Sequence, residues 1–286
     1  MSILEDIKSQ YRTGGIVQKL IFWNIGLYLL SLVFFYNFSF GNFNFPSWLA
    51  LYSNFDDFIF SPWTLFSYMF LHAGFLHLLF NMMVLHFSGR LFETYFTQKQ
   101  LFGLYILGGV FSGIAFLVAF LVLEKTSVLV GASGAIMALL IATATYAPFM
   151  QIRLMLIGVV KLWQVAFVIV LLDLIQLPLE NSGGHLAHLA GALFGFLYIK
   201  MLNSGTDVSK LISSIQDFFE NILKPKKKTP FKKVHKNKPN PSATSFTKKE
   251  KTMDQKKIDD ILDRISQSGY DSLTKEEKEF LFKAGK

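Results

Sequence analysis

Leu186 to Leu202 reads LAHLAGALFGFLYIKML, an apolar run whose single charge, Lys200, stands near its far end. A helix needs about 20 predominantly apolar residues to cross the hydrocarbon layer of a bilayer, and this run approaches that length. On a helix His188, Gly191, Ala192 and Gly195 fall on one face, and a stripe of small residues lets a partner helix pack close to the imidazole. Five more runs of the same kind precede it: Val17 to Tyr36, Trp63 to Ser88, Gln100 to Leu123, Val130 to Ala147 and Lys161 to Leu177. The pattern predicts an all-α membrane protein with six spans. Between Met150 and Val160 a further apolar stretch is broken by Arg153. It is too short to cross alone and is read as interfacial.

Composition supports the bilayer as solvent. The chain is 52% hydrophobic and 16% aromatic, with a mean hydropathy of +0.39, more apolar surface than an ordinary soluble core hides. The formal charge of +8 belongs mostly to lysines after Ser204, so it describes a tail and does not argue for a nucleic-acid partner. With no cysteine, disulfides, thiol catalysis and Cys-ligated metals are excluded. The polar stretch Ser2 to Lys19 and the long run behind it argue against a cleaved signal.

Charge also orients the chain. Lys8 and Arg12 precede the first run and Lys19 lies at its start; Arg90 and Lys99 follow the second; Arg153 precedes the fifth, which Lys161 opens. The loop Asn37 to Pro62 carries Asp56 and Asp57 and no Lys or Arg. The positive-inside rule then puts both termini in the cytoplasm. Runs two, four and six enter from the outer side, and their N-terminal ends hold His72, His77 and Asn81, then Ser133, then His185 and His188.

Polar groups inside spans are costly, so such a layer calls for a function. Ser133 lies in Gly131-Ala132-Ser133-Gly134. A lone serine in a membrane helix usually bonds back to its own backbone, but the flanking glycines open the hydroxyl to approach, and a helix N-terminus favours developing negative charge. His188 alone reads equally well as a hydrogen-bonded interface histidine. Together, a hydroxyl and an imidazole at one depth make a nucleophile and its general base. His77 and Asn81, four residues apart, point the same way and suit an oxyanion hole. His72, His77, His185 and His188 are the candidates for a zinc site. No His-Glu-x-x-His pair is present, so the metal reading ranks below the serine one. His86 and His235 read as incidental, and no cofactor and no metal is expected.

The motifs His72-x-x-x-x-His77-x-x-x-Asn81, Gly131-x-Ser133-Gly134 and Ala187-His188-x-x-Gly191-x-x-x-Gly195 together resemble those of the rhomboid intramembrane serine proteases, and Gly89, Arg90 and Glu93 are similar to the turn that ends the second rhomboid span. The likeness covers about Tyr11 to Leu202. It implies a six-transmembrane-helix rhomboid bundle, Ser133 as nucleophile, His188 as general base and no acidic third member. His77, Asn81 and the Ser133 backbone N–H would form the oxyanion hole, with His72, Gly131, Gly134, Met137 and Gly191 in support. The implied substrates are transmembrane protein segments, cut near the outer face of a bacterial inner membrane. The loop Asn37 to Pro62 would lie in the outer interface and Pro178 to Gly184 would cap the site. Two positions depart from the pattern: Trp63-Thr64 stands where a Trp-Arg pair is frequent, and Met137 where some members stack a tyrosine on the histidine. The competing readings are a catalytically inactive rhomboid-like protein that binds membrane clients, and a proton-path transporter. The transporter would need carboxylates or imidazoles further along runs four and six, which have none below the outer layer.

The expected division is a cytoplasmic segment 1–16, the six-helix domain 17–203, a basic disordered linker 204–252 and a small helical hairpin 253–286. The linker is richest in Lys, Pro and Asn from Lys224 to Lys251, and its Lys226-Lys227-Lys228 run reads as a stop-transfer flank. Ile258, Ile261, Leu262 and Ile265 mark an amphipathic helix, Gly269 its stop, and Thr274 with Glu277 a capping box for a second helix bearing Phe280 and Leu281.

Overall fold

The computed structural model describes residues 2–154, 157–179, 181–223 and 253–284. It divides into two compact units, Met1–Pro225 and Lys226–Lys286.

The first unit opens with α1 (Ile3–Thr13), started by a capping box in which the Ser2 hydroxyl accepts from the Glu5 N–H and the Glu5 carboxylate accepts from the Ser2 N–H. The apolar α2 (Ile16–Phe34) follows. The loop after it holds β1 (Tyr36–Asn37) and β2 (Asn42–Phe43), paired antiparallel, then β3 (Leu51–Tyr52), α3 (Phe55–Phe60), α4 (Thr64–Ser67) and a 3-10 turn at Tyr68–Phe70. Next come α5 (Phe75–Glu93), α6 (Gln98–Val122) and β4 (Val128–Leu129), which pairs antiparallel with β3. The unit continues through α7 (Ser133–Tyr146), the hairpin β5 (Gln151–Leu154) and β6 (Gly158–Lys161), α8 (Leu162–Gln176), α9 (Ser182–Asn203) and α10 (Lys210–Leu223).

Among the described residues four helices, α2, α5, α6 and α9, are long and apolar enough to cross a membrane. The fourth and fifth apolar runs form shorter helices, α7 of 14 residues and α8 of 15. α7 is the hub: it packs on α5, α6, α8 and α9, and Gly134 to Leu140 are all buried. A helix enclosed by protein along its length answers to its neighbours and not to lipid thickness. Its end is set by Pro148, which pushes Ala147 out of helical geometry.

Several expectations are corrected. The second apolar run becomes a helix only from Phe75, because Leu71 and Gly74 are extended and Trp63 to Phe70 fold into short turns. The apolar stretch Met150 to Val160 contains a strand hairpin whose return includes Gly158 at φ +89°, a left-handed position suited to glycine. The expected cap Pro178 to Gly184 is partly helix: Asn181 takes a left-handed conformation and α9 begins at Ser182. A β-carbon at Gly183 would lie 2.8 Å from the Phe116 ring, so this glycine permits close packing.

Within the segment read as linker, residues 210–223 are helical, and α10 packs on α6. Its entrance is held by Asp207, which accepts from Ser209 Oγ, Tyr198 OH and Gln100 Nε2. Ser209 is buried against Gly103. Leu211, Ile215, Phe218 and Phe219 recur at helical spacing, giving an amphipathic pattern. The lysine-rich remainder, 224–252, lies outside the described residues.

The second unit contains α11 (Met253–Ser268), a 3-10 turn at Tyr270–Ser272 and α12 (Lys275–Ala284). Gly269, at φ +79°, ends the first helix. Ile261 and Leu273 are buried. Arg264 pairs with Glu277 at 2.6 Å, and Thr274 and Glu277 cap each other reciprocally.

Candidate active site

The site begins with the contact between α7 and α9. A β-carbon on Gly191 would collide with the carbonyl of Gly134, and one on Gly195 with the carbonyl of Ala138. One on Gly134 would lie 2.5 Å from Ser112 Oγ and 3.2 Å from the Ala187 carbonyl. The two backbones therefore touch, as a small-residue stripe allows. Ser133, next to Gly134, and His188, next to Ala187, line one cavity of about 630 Å³ together with His77, Asn81 and Met137.

Ser133 is the first residue of α7. The N–H groups of that first turn have no intrahelical carbonyl to bond and sit at the positive end of the helix dipole. Among the described residues no hydrogen bond joins Ser133 Oγ to His188. Such bonds are often long in enzymes without substrate and tighten on binding.

His77 comes from the first turn of α5. The Ala73 N–H donates to its Nδ1 at 3.3 Å, which assigns the proton to Nε2. That donor faces Gly131: a β-carbon there would lie 2.8 Å from His77 Nε2 and 3.8 Å from Ser133 Oγ. Gly131 also has φ +122°, so both its conformation and its neighbour require glycine. Its N–H donates to the Tyr68 carbonyl. One turn further, Asn81 Nδ2 donates to the His77 carbonyl at 2.8 Å, leaving its second amide hydrogen for the cavity. His72 is buried behind His77, the two rings edge to face at 5.2 Å.

Reading the sequence missed Asp173. It stands near the C-terminal end of α8, buried, and lines the same cavity. Its Oδ1 lies 2.8 Å from His185 Nδ1 and 2.9 Å from His188 Nδ1. This differs from the acid-free dyad that the resemblance implies. A signal was present, since Asp173 is the only charge between Leu162 and Gln176 and an ionisable residue within a span is a functional candidate by default. The rule that groups the other site residues, N-terminal ends of runs at one depth, does not reach Asp173, which stands near the C-terminal end of its helix.

Of the four histidines considered for zinc, His185 and His188 come together and His72 and His77 form a separate pair. Asp173 completes a three-member group whose ligand atoms lie within 4.8 Å of one another. Two ligand atoms each ~2.0–2.2 Å from one tetrahedral zinc would stand about 3.4 Å apart, so the 2.8 and 2.9 Å from the two nitrogens to Asp173 Oδ1 are spacings of direct hydrogen bonds.

Comparison with known proteins gives two family matches. Residues 60–204 match the Rhomboid domain, and residues 247–283 match a family of unknown function, DUF6576. The chain is also 32% identical over 133 residues to Presenilin-associated rhomboid-like protein A, mitochondrial, of Danio rerio, an alignment covering 46% of this chain and 35% of that protein. The chain thus spans about a third of that relative's length. The domain match takes in just over half of the 286 residues and encloses α4 through α9, with every helix that lines the cavity, and on this ground the chain belongs to the rhomboid family.

Proposed function

We propose that this chain is an intramembrane serine endopeptidase that cleaves transmembrane segments of other membrane proteins near the outer face of the bilayer. The observation that carries the reading is the single cavity in which α5, α7 and α9 gather Ser133, His188, His77 and Asn81. Ser133 Oγ attacks the scissile carbonyl while His188 takes its proton and later returns it to the leaving amine. The His77 Nε2–H, the Asn81 amide and the Ser133 N–H receive the oxyanion. A helical peptide bond is shielded by its own backbone bonds, so a substrate segment has to unwind locally, which helix-weakening residues favour.

In this reading α7 and α8 complete six spans and both termini face the cytoplasm, as the charges of the loops require. The bacterial inner membrane expected from the sequence finds no support in the comparisons, where the relative's printed name is mitochondrial.

The test uses purified protein in detergent with a model transmembrane substrate. Ser133→Ala and His188→Ala each lose at least about 10³-fold in kcat, and a fluorophosphonate labels the wild type at Ser133. Cleavage that persists in both variants overturns the assignment and favours a client-binding protein without this chemistry.

A further inference from the structure

We infer that Asp173 is a positioning residue for His188, acting through the imidazole; this rests on the proteolytic reading of Ser133 and His188. A buried carboxylate without partners is costly, and Asp173 finds two, both on α9. A carboxylate only accepts hydrogen bonds, so each histidine that faces its Oδ1 through Nδ1 carries its proton there. The Nε2 of His188 is then left with a lone pair, the state a general base must hold before it takes the serine proton.

The same contact stabilises what forms next. When the Ser133 proton moves to Nε2, His188 becomes an imidazolium with its Nδ1–H still on Asp173, and the positive charge lies 2.9 Å from the carboxylate oxygen. The proton then passes from Nε2 to the leaving amine, and Asp173 stays unprotonated throughout. His185, three residues before His188 on the same helix, donates to the same oxygen at 2.8 Å and holds the carboxylate in place. Free Nδ1 in a neutral imidazole allows the proton to sit on either nitrogen, and the acid removes that ambiguity.

The experiment uses the full chain in detergent micelles. Asp173→Leu keeps the branched outline of the side chain and removes the acceptor, and kcat falls about 100-fold with KM within about threefold of wild type. A kcat within about threefold of wild type, while Ser133→Ala and His188→Ala abolish cleavage, overturns the positioning role alone. So does a loss confined to KM, which makes Asp173 only a tie between α8 and α9. If Ser133→Ala and His188→Ala both cleave normally, it is the proteolytic reading that fails. A second measurement needs no variant at residue 173: the imidazole ¹⁵N spectrum of wild type, with the His188 signals identified by their loss in His188→Gln. It shows His188 protonated on Nδ1 and bare on Nε2. The opposite tautomer overturns the proposal even where Asp173→Leu does not fold.

Discussion

Gly191 meets the carbonyl of Gly134 with no room between them for a β-carbon. This contact sets how near α9 comes to α7, and through it how near His188 comes to Ser133, each side chain being within three residues of the touching backbones.

Gly191→Ala tests that dependence. Forcing a methyl into a closed contact costs about 1–3 kcal/mol, so the melting temperature in detergent falls and cleavage drops at least about tenfold. Gly26→Ala, whose β-carbon meets nothing within 4 Å, is the control: it leaves cleavage unchanged and does not lower the melting temperature. Full activity in Gly191→Ala would mean the helices can separate without harm.

Asn81→Ala removes one donor from the proposed oxyanion hole. The expected loss is about 100-fold in kcat with little change in KM, read from single-turnover cleavage. An effect on KM alone would assign Asn81 to substrate binding.

Prolonged dialysis against a chelator leaves the cleavage rate unchanged if Asp173, His185 and His188 work as a hydrogen-bonded group. A rate that falls and returns with added zinc would instead make that group a metal site.

Glu277 offers a pH test outside the membrane domain. The Thr274 backbone N–H and hydroxyl, and then Arg264, hold its carboxyl below the ordinary carboxylate range. A depressed folded pKa means the cap's stabilisation is complete above the unfolded value, about 4.3, and is lost as pH falls through the folded one. Protection factors for the first-turn amides of α12 therefore drop below about pH 4. In Glu277→Gln they are lower at neutral pH and nearly flat. A pH-independent wild type would remove the carboxylate from the cap.

The parts of this protein that were legible in its residues are those governed by local rules. Helix-length apolar runs announced α2, α5, α6 and α9, because lipid demands continuous hydrocarbon whatever the neighbours are. The glycines beside Ser133 and His188 announced close backbones, and Thr274 with Glu277 announced a cap, since each depends on residues a turn or less apart. Boundaries failed where a neighbour decided them. α10 was hidden in a basic segment because its anchor, Asp207, is held from α6 and α9.

By itself, then, the sequence determined that the chain is built of apolar helices and which of them carry a hydroxyl, imidazoles and an amide. Only the tertiary structure decided that Asp173 of α8 meets His188 of α9. Helical periodicity relates residues a few positions apart on one helix, and the meeting of two residues fifteen positions apart on two helices depends on how both helices pack around α7.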